Sequence, residues 1–366
     1  MEVVRQAVLT VFRGDLESVR AHGTGHIHDT FVVHWRPRPS AAAEALLVQR
    51  FNADVFTSPE LVMNNLQRVS DHVQAKLRAA GISDAERRVL RVRRTPDGAL
   101  CWRTDGLVFR AFELIADTVS FDVAKTARQP LEAGRAFGTF VAQLADLPAP
   151  PLAETIPAFH DTEARLAALR AAVASDPLAR CSQLQGDLAR VEARVELAGS
   201  LARLERAGAL PRRTIHNDAK LSNLLFDARS EDAVCVIDLD TVMPGLVAYD
   251  FGDLVRTTGC LVAEDSTDLT TVDIRMDYIE ALAEGYVAAT AALMGEVERA
   301  SLVLGPKLFC YELGMRFLTD HVLGDHYFPI DRPGHNLDRA RVQLRLVEEL
   351  ERREDALRAC IDRATR

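Results

Sequence analysis

Residues 214–253 read TIHNDAKLSNLLFDARSEDAVCVIDLDTVMPGLVAYDFGD, and the fold follows from this stretch. It opens on His216-x-Asp218-x-x-x-x-Asn223, a carboxylate five residues before a side-chain amide. The apolar run Val234, Cys235, Val236, Ile237 has the composition of a short buried strand and ends on Asp238. Phosphoryl transfer uses this set: one carboxylate orients an attacking hydroxyl, while an amide oxygen and a second carboxylate hold Mg²⁺ against the phosphates of ATP. Mg²⁺ prefers oxygen and keeps several waters, so it takes few protein ligands. A lone HxD triplet is weak, whereas HxDxxxxN, a strand and a terminal Asp in this order form a specific pattern. His216 reads as a support for the loop. Lys220 has two readings, contact with the transferring phosphoryl group or a solvated surface charge. Asp240 reads as a support behind the metal ligands. Asp250 and Asp253 read as structural, capping a helix or holding the catalytic loop.

A chain of 366 residues with 48% hydrophobic content can bury a large core, and its length suggests two domains. The formal net charge of −9 argues against a general nucleic-acid partner, which would want a basic face. The six cysteines are scattered without a CxxC pair, which matches neither a zinc site nor a disulfide framework and suits a reducing cytosol. There is no basic-then-apolar leader and no uncharged run long enough to span a bilayer, so the expectation is a cytoplasmic protein without a membrane partner.

In chain order, 2–12 has the pattern of a short amphipathic helix, and 18–34 that of two strands around a turn holding Gly23 and Gly25. Glycines there let a backbone approach a ligand closely. Residues 44–51 (EALLVQRF) form a third strand, on which Arg50 is the basic candidate for the α/β-phosphates. Ser58-Pro59-Glu60 starts a helix with Leu61, Val62, Leu66, Val69 and Val73 on one face. Glu60 is a candidate partner for the strand cation or for the helix dipole. Residues 89–95 and 100–114 alternate as strands around the turn at 96–98. A break follows between 111 and 120. Backbone groups near Phe112, Glu113 and Leu114 are placed to read an adenine edge. Beyond the break the pattern is helical: 130–147, a scaffold of Ala/Leu/Arg-rich helices over 161–207, and then 273–294, 301–324 and 337–361. The expected fold class is α+β: a small N-terminal sheet lobe over 1–114 that binds nucleotide, and a larger, mainly helical C-terminal lobe over 115–366 with the catalytic loop and substrate site.

With these segments in place, the chain resembles the aminoglycoside phosphotransferase/choline kinase superfamily of bilobal, protein-kinase-like folds. Within it, the chain looks most like the bacterial N-acetylhexosamine 1-kinases. The resemblance covers most of the chain: GTGHIHDTF at 23–31, LVQRFNADVFTSPELVMNN at 47–65, HNDAKLSNLLFD at 216–227, VIDLDTVMPGLVAYDFGD at 236–253, LGMRFLTDHVLGDHYF at 313–328 and GHNLDRAR at 334–341. The HxDxxxxN core marks only the superfamily; IDLDTVMPG and RFLTDxxxGDxYF are more specific to the sugar-kinase branch.

The resemblance implies Asp218 as catalytic base and Asn223 and Asp238 as Mg²⁺ ligands. It implies ATP as phosphate donor and a small sugar contacted by His26, Asp218, Arg316 and Tyr327; the nucleotide candidates from the residues themselves are Gly23, Gly25, Arg50, Glu113 and Lys220. The residues also allow simpler readings. Arg316 at i,i+4 from Asp320 fits an ordinary helix ion pair, and Tyr327 fits packing on Phe328. His28 and Asp29 stand where related chains often carry Asn and a small hydroxyl residue, which leaves the acceptor open. The alternatives are a kinase of the same fold for another sugar, an aminoglycoside or an amino alcohol, and a nucleotide-binding scaffold without turnover. A cationic acceptor would want a cluster of acids near the C-terminal helices, with Asp320, Asp325 and Asp331 as candidates. The sequence leaves monomer and homodimer equally open.

Overall fold

The computed structural model describes residues 1–23, 27–38 and 42–365. Alternating apolar residues build an antiparallel sheet of β1 (Asp15–Ala21), β2 (Asp29–Arg36), β3 (Glu44–Phe51), β4 (Trp102–Thr104) and β5 (Leu107–Glu113), in the order β1-β2-β3-β5-β4. Helix α1 (Glu2–Val11) lays Val4, Ala7 and Val8 over one face, against Val33, Trp35, Leu46, Val48 and Phe109. Helix α2 (Pro59–Ala79) carries Leu66, Val69 and Val73 in a second cluster with Phe112 and Leu47. Side chains alternate along β3, so Leu46, Val48 and Arg50 share the α1 face, while Leu47, Gln49 and Phe51 face the other way.

After β5 the chain enters the helical part. A short strand β6 (Thr118–Val119) pairs with β8 (Leu224–Asp227), which pairs in turn with β9 (Ala233–Val236). Strand β7 (Arg213–Ile215) pairs with β10 (Met243–Gly245). The β7–β10 pair brackets the 216–242 stretch and brings its two ends together, while β8 and β9 lie within it. Around them lie α3 (Arg128–Leu144), α4 (Thr162–Ser175), α5 (Gln185–Glu192), α6 (Val195–Ala198), α7 (Ser200–Arg206), α8 (Val247–Gly259), α9 (Met276–Thr290), α10 (Glu296–Ser301), α11 (Leu304–Leu323), α12 (His335–Arg352) and α13 (Glu354–Ala364). The architecture is α+β, with an N-terminal antiparallel sheet and a larger helical part, as expected from the sequence.

Local expectations needed correction in three places. Residues 89–95 do not form a strand; only Val92 bridges Phe112. The stretch 100–114 is split by Asp105 and Gly106, both at positive φ (51° and 78°), into the tight β4–β5 hairpin. Asp-Gly is the favoured pair for such a turn, and the signal was present in the sequence. The single helix expected at 337–361 breaks at Arg353, which leaves helical geometry at φ −111°.

Helices α8 and α11 meet through glycine. A Cβ on Gly252 would lie 2.6 Å from the Gly305 carbonyl oxygen, and one on Gly305 would lie 2.1 Å from the Ala248 oxygen. Backbone against backbone leaves nothing flexible to give way. Gly252→Ala is therefore expected to lower stability by about 1–3 kcal/mol, the usual cost of overpacking a tight core, as read by urea unfolding. Wild-type stability in that variant would mean the two helices can separate freely.

Candidate active site

The loop that follows β7 is held by one buried carboxylate. Asp250, in the first turn of α8, accepts the backbone N–H of His216 (2.8 Å) on one oxygen and that of Asn217 (2.7 Å) on the other. Burial pushes its pKa up to about 6, against the opposing pull of His216 and the two N–H donors. Asn217 sits at φ +63°, a conformation Asn tolerates better than most residues. Its side-chain amide donates to the carbonyls of Thr241 (3.0 Å) and Met243 (3.1 Å). His216 donates from Nε2 to the Ile237 carbonyl (2.9 Å) and accepts the Asp218 N–H on Nδ1 (3.3 Å). His216 is thus a fully satisfied support, and its bonds fix the position of Asp218.

Asp218 lies beside Lys220, whose Nζ is 2.9 Å from Oδ2, and the Asn223 amide donates to the same oxygen at 3.0 Å. Burial would raise the Asp218 pKa, but the Lys220 charge and these hydrogen bonds outweigh it and leave the carboxyl below its ordinary value. Burial works against the Lys220 ammonium as well, yet Asp218, Asp238 and Asp253 hold its pKa above the ordinary lysine value. Because Asn223 spends its NH₂ on Asp218, its Oδ1 remains as an acceptor. Asp238 ends the β9 segment in the left-handed region (φ 61°, ψ 56°). Its pKa is raised by burial and by the like charges of Asp240 and Asp218, and no hydrogen bond from the described residues offsets them. A partly buried carboxylate facing two others is a site where a bound cation would be stabilising.

Asp240 has a different role. It is almost wholly buried and receives both ends of the Arg110 guanidinium (2.5 and 2.8 Å), together with Nε2 of His28 (2.6 Å). Burial alone would raise its pKa; the Arg110 charge and both sets of hydrogen bonds drive it well below the usual carboxylate range. Arg110 also donates to Gln49 (2.9 Å) and lies over the rings of Phe51 and Phe112, each at 5.1 Å. His28 stacks on Phe51 and accepts the Asn52 N–H on Nδ1. This cluster ties β2 and β5 of the sheet to the segment after β9.

Several candidates from the sequence are placed differently. Arg50 lies on the α1 face of β3, is 47% exposed and pairs with Asp29 across the strands; the cation on the cleft side is Arg110. Glu60 pairs with Arg103 rather than with a β3 cation. The Glu113 side chain pairs with Arg91, its N–H goes to the Arg91 carbonyl, and the Leu114 N–H goes to Ala45. Those two amides are therefore spent within the protein. Gly23 is described, at φ +74°; Gly25 and His26 lie outside the described residues.

On the far side of the loop, Arg316 projects from the middle of α11. Its guanidinium lies 5.4 Å from the Phe328 ring, 5.8 Å from Tyr327 and 6.0 Å from Phe159. It does not pair with Asp320. That carboxylate instead accepts the backbone N–H groups of His326, Tyr327 and Phe328 and the amide of Asn336. Gly324 ends α11 at φ +116°, and the Asp320 bonds fold the following segment back over the helix. Tyr327 packs edge-on against Phe328, yet it remains 63% exposed. One turn before Arg316, Glu312 is held by His160 Nδ1 (3.1 Å) and the Thr162 hydroxyl (2.6 Å).

With Asp218, Asn223, Asp238 and the aromatic-bounded Arg316 described, comparison with known proteins is informative. The model of the phosphotransferase enzyme family (APH) matches residues 18–297. The chain belongs to that family. Among solved structures it is similar to an aminoglycoside phosphotransferase from Alicyclobacillus acidocaldarius (TM-score 0.59, 16% identity, 98% of this chain and 96% of that one). It is also similar to a microcompartment-associated aminopropanol kinase (0.57, 17%, 98% and 99%) and to spectinomycin phosphotransferase in complex with ADP and spectinomycin (0.58, 11%, 96% and 98%). At these identities the likeness is one of fold.

The sequence reading missed Arg110, His160 and Glu312. A charged residue inside the apolar strand LVFRAFE was a usable signal for Arg110. For His160, just ahead of α4, nothing local distinguished it from a loop histidine. Because Asp250 carries the loop, Asp250→Ala is expected to leave two buried N–H donors unpaired. The cost is about 1–3 kcal/mol for each, read by chemical denaturation, with phosphoryl transfer lost in parallel. A stable, active variant would show that another group holds Asp218.

Proposed function

We propose that this phosphotransferase-family chain is an ATP-dependent sugar kinase that phosphorylates the anomeric hydroxyl of an N-acetylhexosamine, N-acetylglucosamine or N-acetylgalactosamine, to the 1-phosphate. The observation that carries the choice of acceptor is the state of the charges beside the loop. Arg316 is bounded by three aromatic rings and has no carboxylate partner among the described residues. The acids a cationic acceptor would need are engaged. Asp320 is taken by three N–H groups, Asp325 by Arg180 (2.7 Å) and Asn336, and Asp331 is a solvated side chain. A sugar offers an apolar ring face to Tyr327 and a carbonyl or hydroxyl to the forked guanidinium. An aminoglycoside or amino alcohol would meet a positive charge there.

In this reading residues 1–114 contribute the nucleotide side, with the Gly23 turn over the phosphates, and 115–366 contribute base and acceptor site. The half-buried apolar side chains Leu47, Ile115, Leu225 and Ile237, all packed against one cluster, suit an adenine slot. Asp238, whose pKa burial and neighbouring like charges raise, and Asn223, with Oδ1 left as an acceptor, fit Mg²⁺, which would supply neutralisation of phosphate charge when bound. Asp218 accepts a hydrogen bond from the acceptor hydroxyl and aligns its oxygen with the γ-phosphorus. The new P–O bond forms as the bond to the β–γ bridging oxygen breaks. ADP leaves, and the hydroxyl proton passes late to Asp218. Lys220 keeps Asp218 ionised and gives the carboxylate cluster its nearest positive charge. Positioning and electrostatics account for most of the rate. Among the described residues no helix is long and apolar enough to cross a membrane, and the six cysteines are unpaired, which suits a reducing cytoplasm.

The test is ATP turnover across a panel of sugars, an aminoglycoside and an amino alcohol, with the phosphate position assigned by NMR. Asp218→Asn is expected to lower turnover by about 10²-fold or more with ATP binding retained. Arg316→Ala is expected to raise the sugar KM by about 10- to 150-fold, the scale of one charged hydrogen bond, with the ATP KM unchanged. Turnover of the aminoglycoside alone, or an unchanged sugar KM in Arg316→Ala, would move the acceptor to another class. Asp238→Ala is expected to abolish activity at any Mg²⁺ concentration, whereas Asn223→Ala should be partly rescued by raising Mg²⁺.

A further inference from the structure

His160 lies between the catalytic loop and α11, in a segment with no part in the chemistry above. Its Nδ1 is 3.1 Å from Glu312 Oε1 and its Nε2 is 2.9 Å from the Asn217 carbonyl. Both partners are acceptors only. A neutral imidazole carries a single N–H and would turn a lone pair on one of them, so only the doubly protonated ring satisfies both. The other Glu312 oxygen is taken by the Thr162 hydroxyl at 2.6 Å. The ring stacks on Tyr249 at 4.8 Å, and the Tyr249 hydroxyl donates to the His160 carbonyl at 3.2 Å. Phe159 and Phe309 close the remaining sides, leaving the two charged side chains 5% and 3% exposed. One partner precedes the base by one residue; the other precedes Arg316 by one helical turn.

We propose that His160 is a positioning residue: its imidazolium ties the Asn217–Asp218 peptide to Glu312 on α11, and so sets where an acceptor held by Arg316 meets the base. This rests on the reading of Asp218 and Arg316 given above. A buried ion pair with every proton and lone pair matched is expected to fix geometry more than to add net stability. The charged and titratable groups around the ring are Glu312 and Arg316 from α11 and Tyr249 and Asp250 from α8. Burial works against the charged ring, but the Glu312 carboxylate and the two hydrogen bonds outweigh it and hold the pKa above the ordinary histidine value. The bonded form is the protonated one. Its contribution is therefore complete below the unfolded histidine pKa of about 6.5 and is lost as pH rises through the higher folded value.

The experiment has two arms. In wild-type protein labelled with ¹⁵N-histidine, the His160 ring is expected to show two protonated nitrogens at pH 7 and to titrate only above neutrality. In parallel, kcat and KM for N-acetylgalactosamine and ATP are measured from pH 6 to 9.5 in wild type, His160→Gln and Glu312→Gln. His160→Gln is expected to lower kcat/KM for the sugar at least tenfold, to keep the ATP KM within twofold, and to lose the alkaline limb of the profile. Glu312→Gln removes the counter-charge, so the limb is expected to move to lower pH by a unit or more. A residue that merely supported the fold would not move that limb. A singly protonated His160 ring at pH 7 overturns the proposal without any variant having to fold. So does a His160→Gln enzyme with wild-type kcat/KM and an unchanged limb. Failure of the functional reading appears elsewhere, as undiminished turnover in Asp218→Asn or an unchanged sugar KM in Arg316→Ala, while the ring-nitrogen spectrum reports on His160 alone.

Discussion

Two backbone N–H groups donated to one buried carboxylate, His216 and Asn217 to Asp250, are the contact on which the site depends. The loop between β7 and the first turn after it has no ladder to satisfy it, and Asn217 is in a left-handed conformation that only surrounding structure can hold. Charge-assisted bonds of this kind contribute about 1.5–3 kcal/mol each, enough to hold the strained residue. The same helix, α8, meets α11 through bare glycine backbone at Gly252 and Gly305. One element therefore sets both the loop that carries Asp218 and the helix that carries Arg316.

A second buried carboxylate joins the two parts of the molecule. Asp240 draws Arg110 from β5 and His28 from the segment entering β2, and each of these is satisfied a second time, by Gln49 and by the Asn52 N–H. Replacing such a cluster with apolar residues often costs little, whereas removing one member strands a charge. Its physical effect is to define one relative placement of sheet and catalytic segment. Of the cations considered for the nucleotide, Arg50 points away, while Lys220 lies against Asp218.

Much of this was legible in the sequence because it is written locally. Spacing brought Asp218, Asn223 and Asp238 into one loop-and-strand unit, alternation gave the limits of β3, and Ser58-Pro59 marked the start of α2. What stayed hidden was long-range. His160 meets Glu312 across 152 residues and Arg110 meets Asp240 across 130, and neither pairing has a period or a motif. The i,i+4 spacing of Arg316 and Asp320 suggested an ion pair, but Asp320 had a better use: three backbone N–H groups just past a helix end. Local pattern names the candidates, and competition for partners decides among them.

That competition also bears on the ligands. Around the loop, nearly every acid has been matched with a donor from the protein: Asp250 with backbone, Asp240 with Arg110 and His28, Glu312 with His160 and Thr162, Asp320 with a turn. Asp238 and Asp253 stand apart: burial and like charges raise both pKa values, Asp238 lacks a hydrogen bond from the described residues, and one Asp253 oxygen is without a partner. Arg316 stands apart in the opposite sense, a cation on an aromatic surface without a carboxylate. A buried or half-buried charge left uncompensated is destabilising unless a bound partner completes it. Under the proposed function, Asp238 would face the cation-bearing phosphate donor and Arg316 an oxygen-rich neutral acceptor.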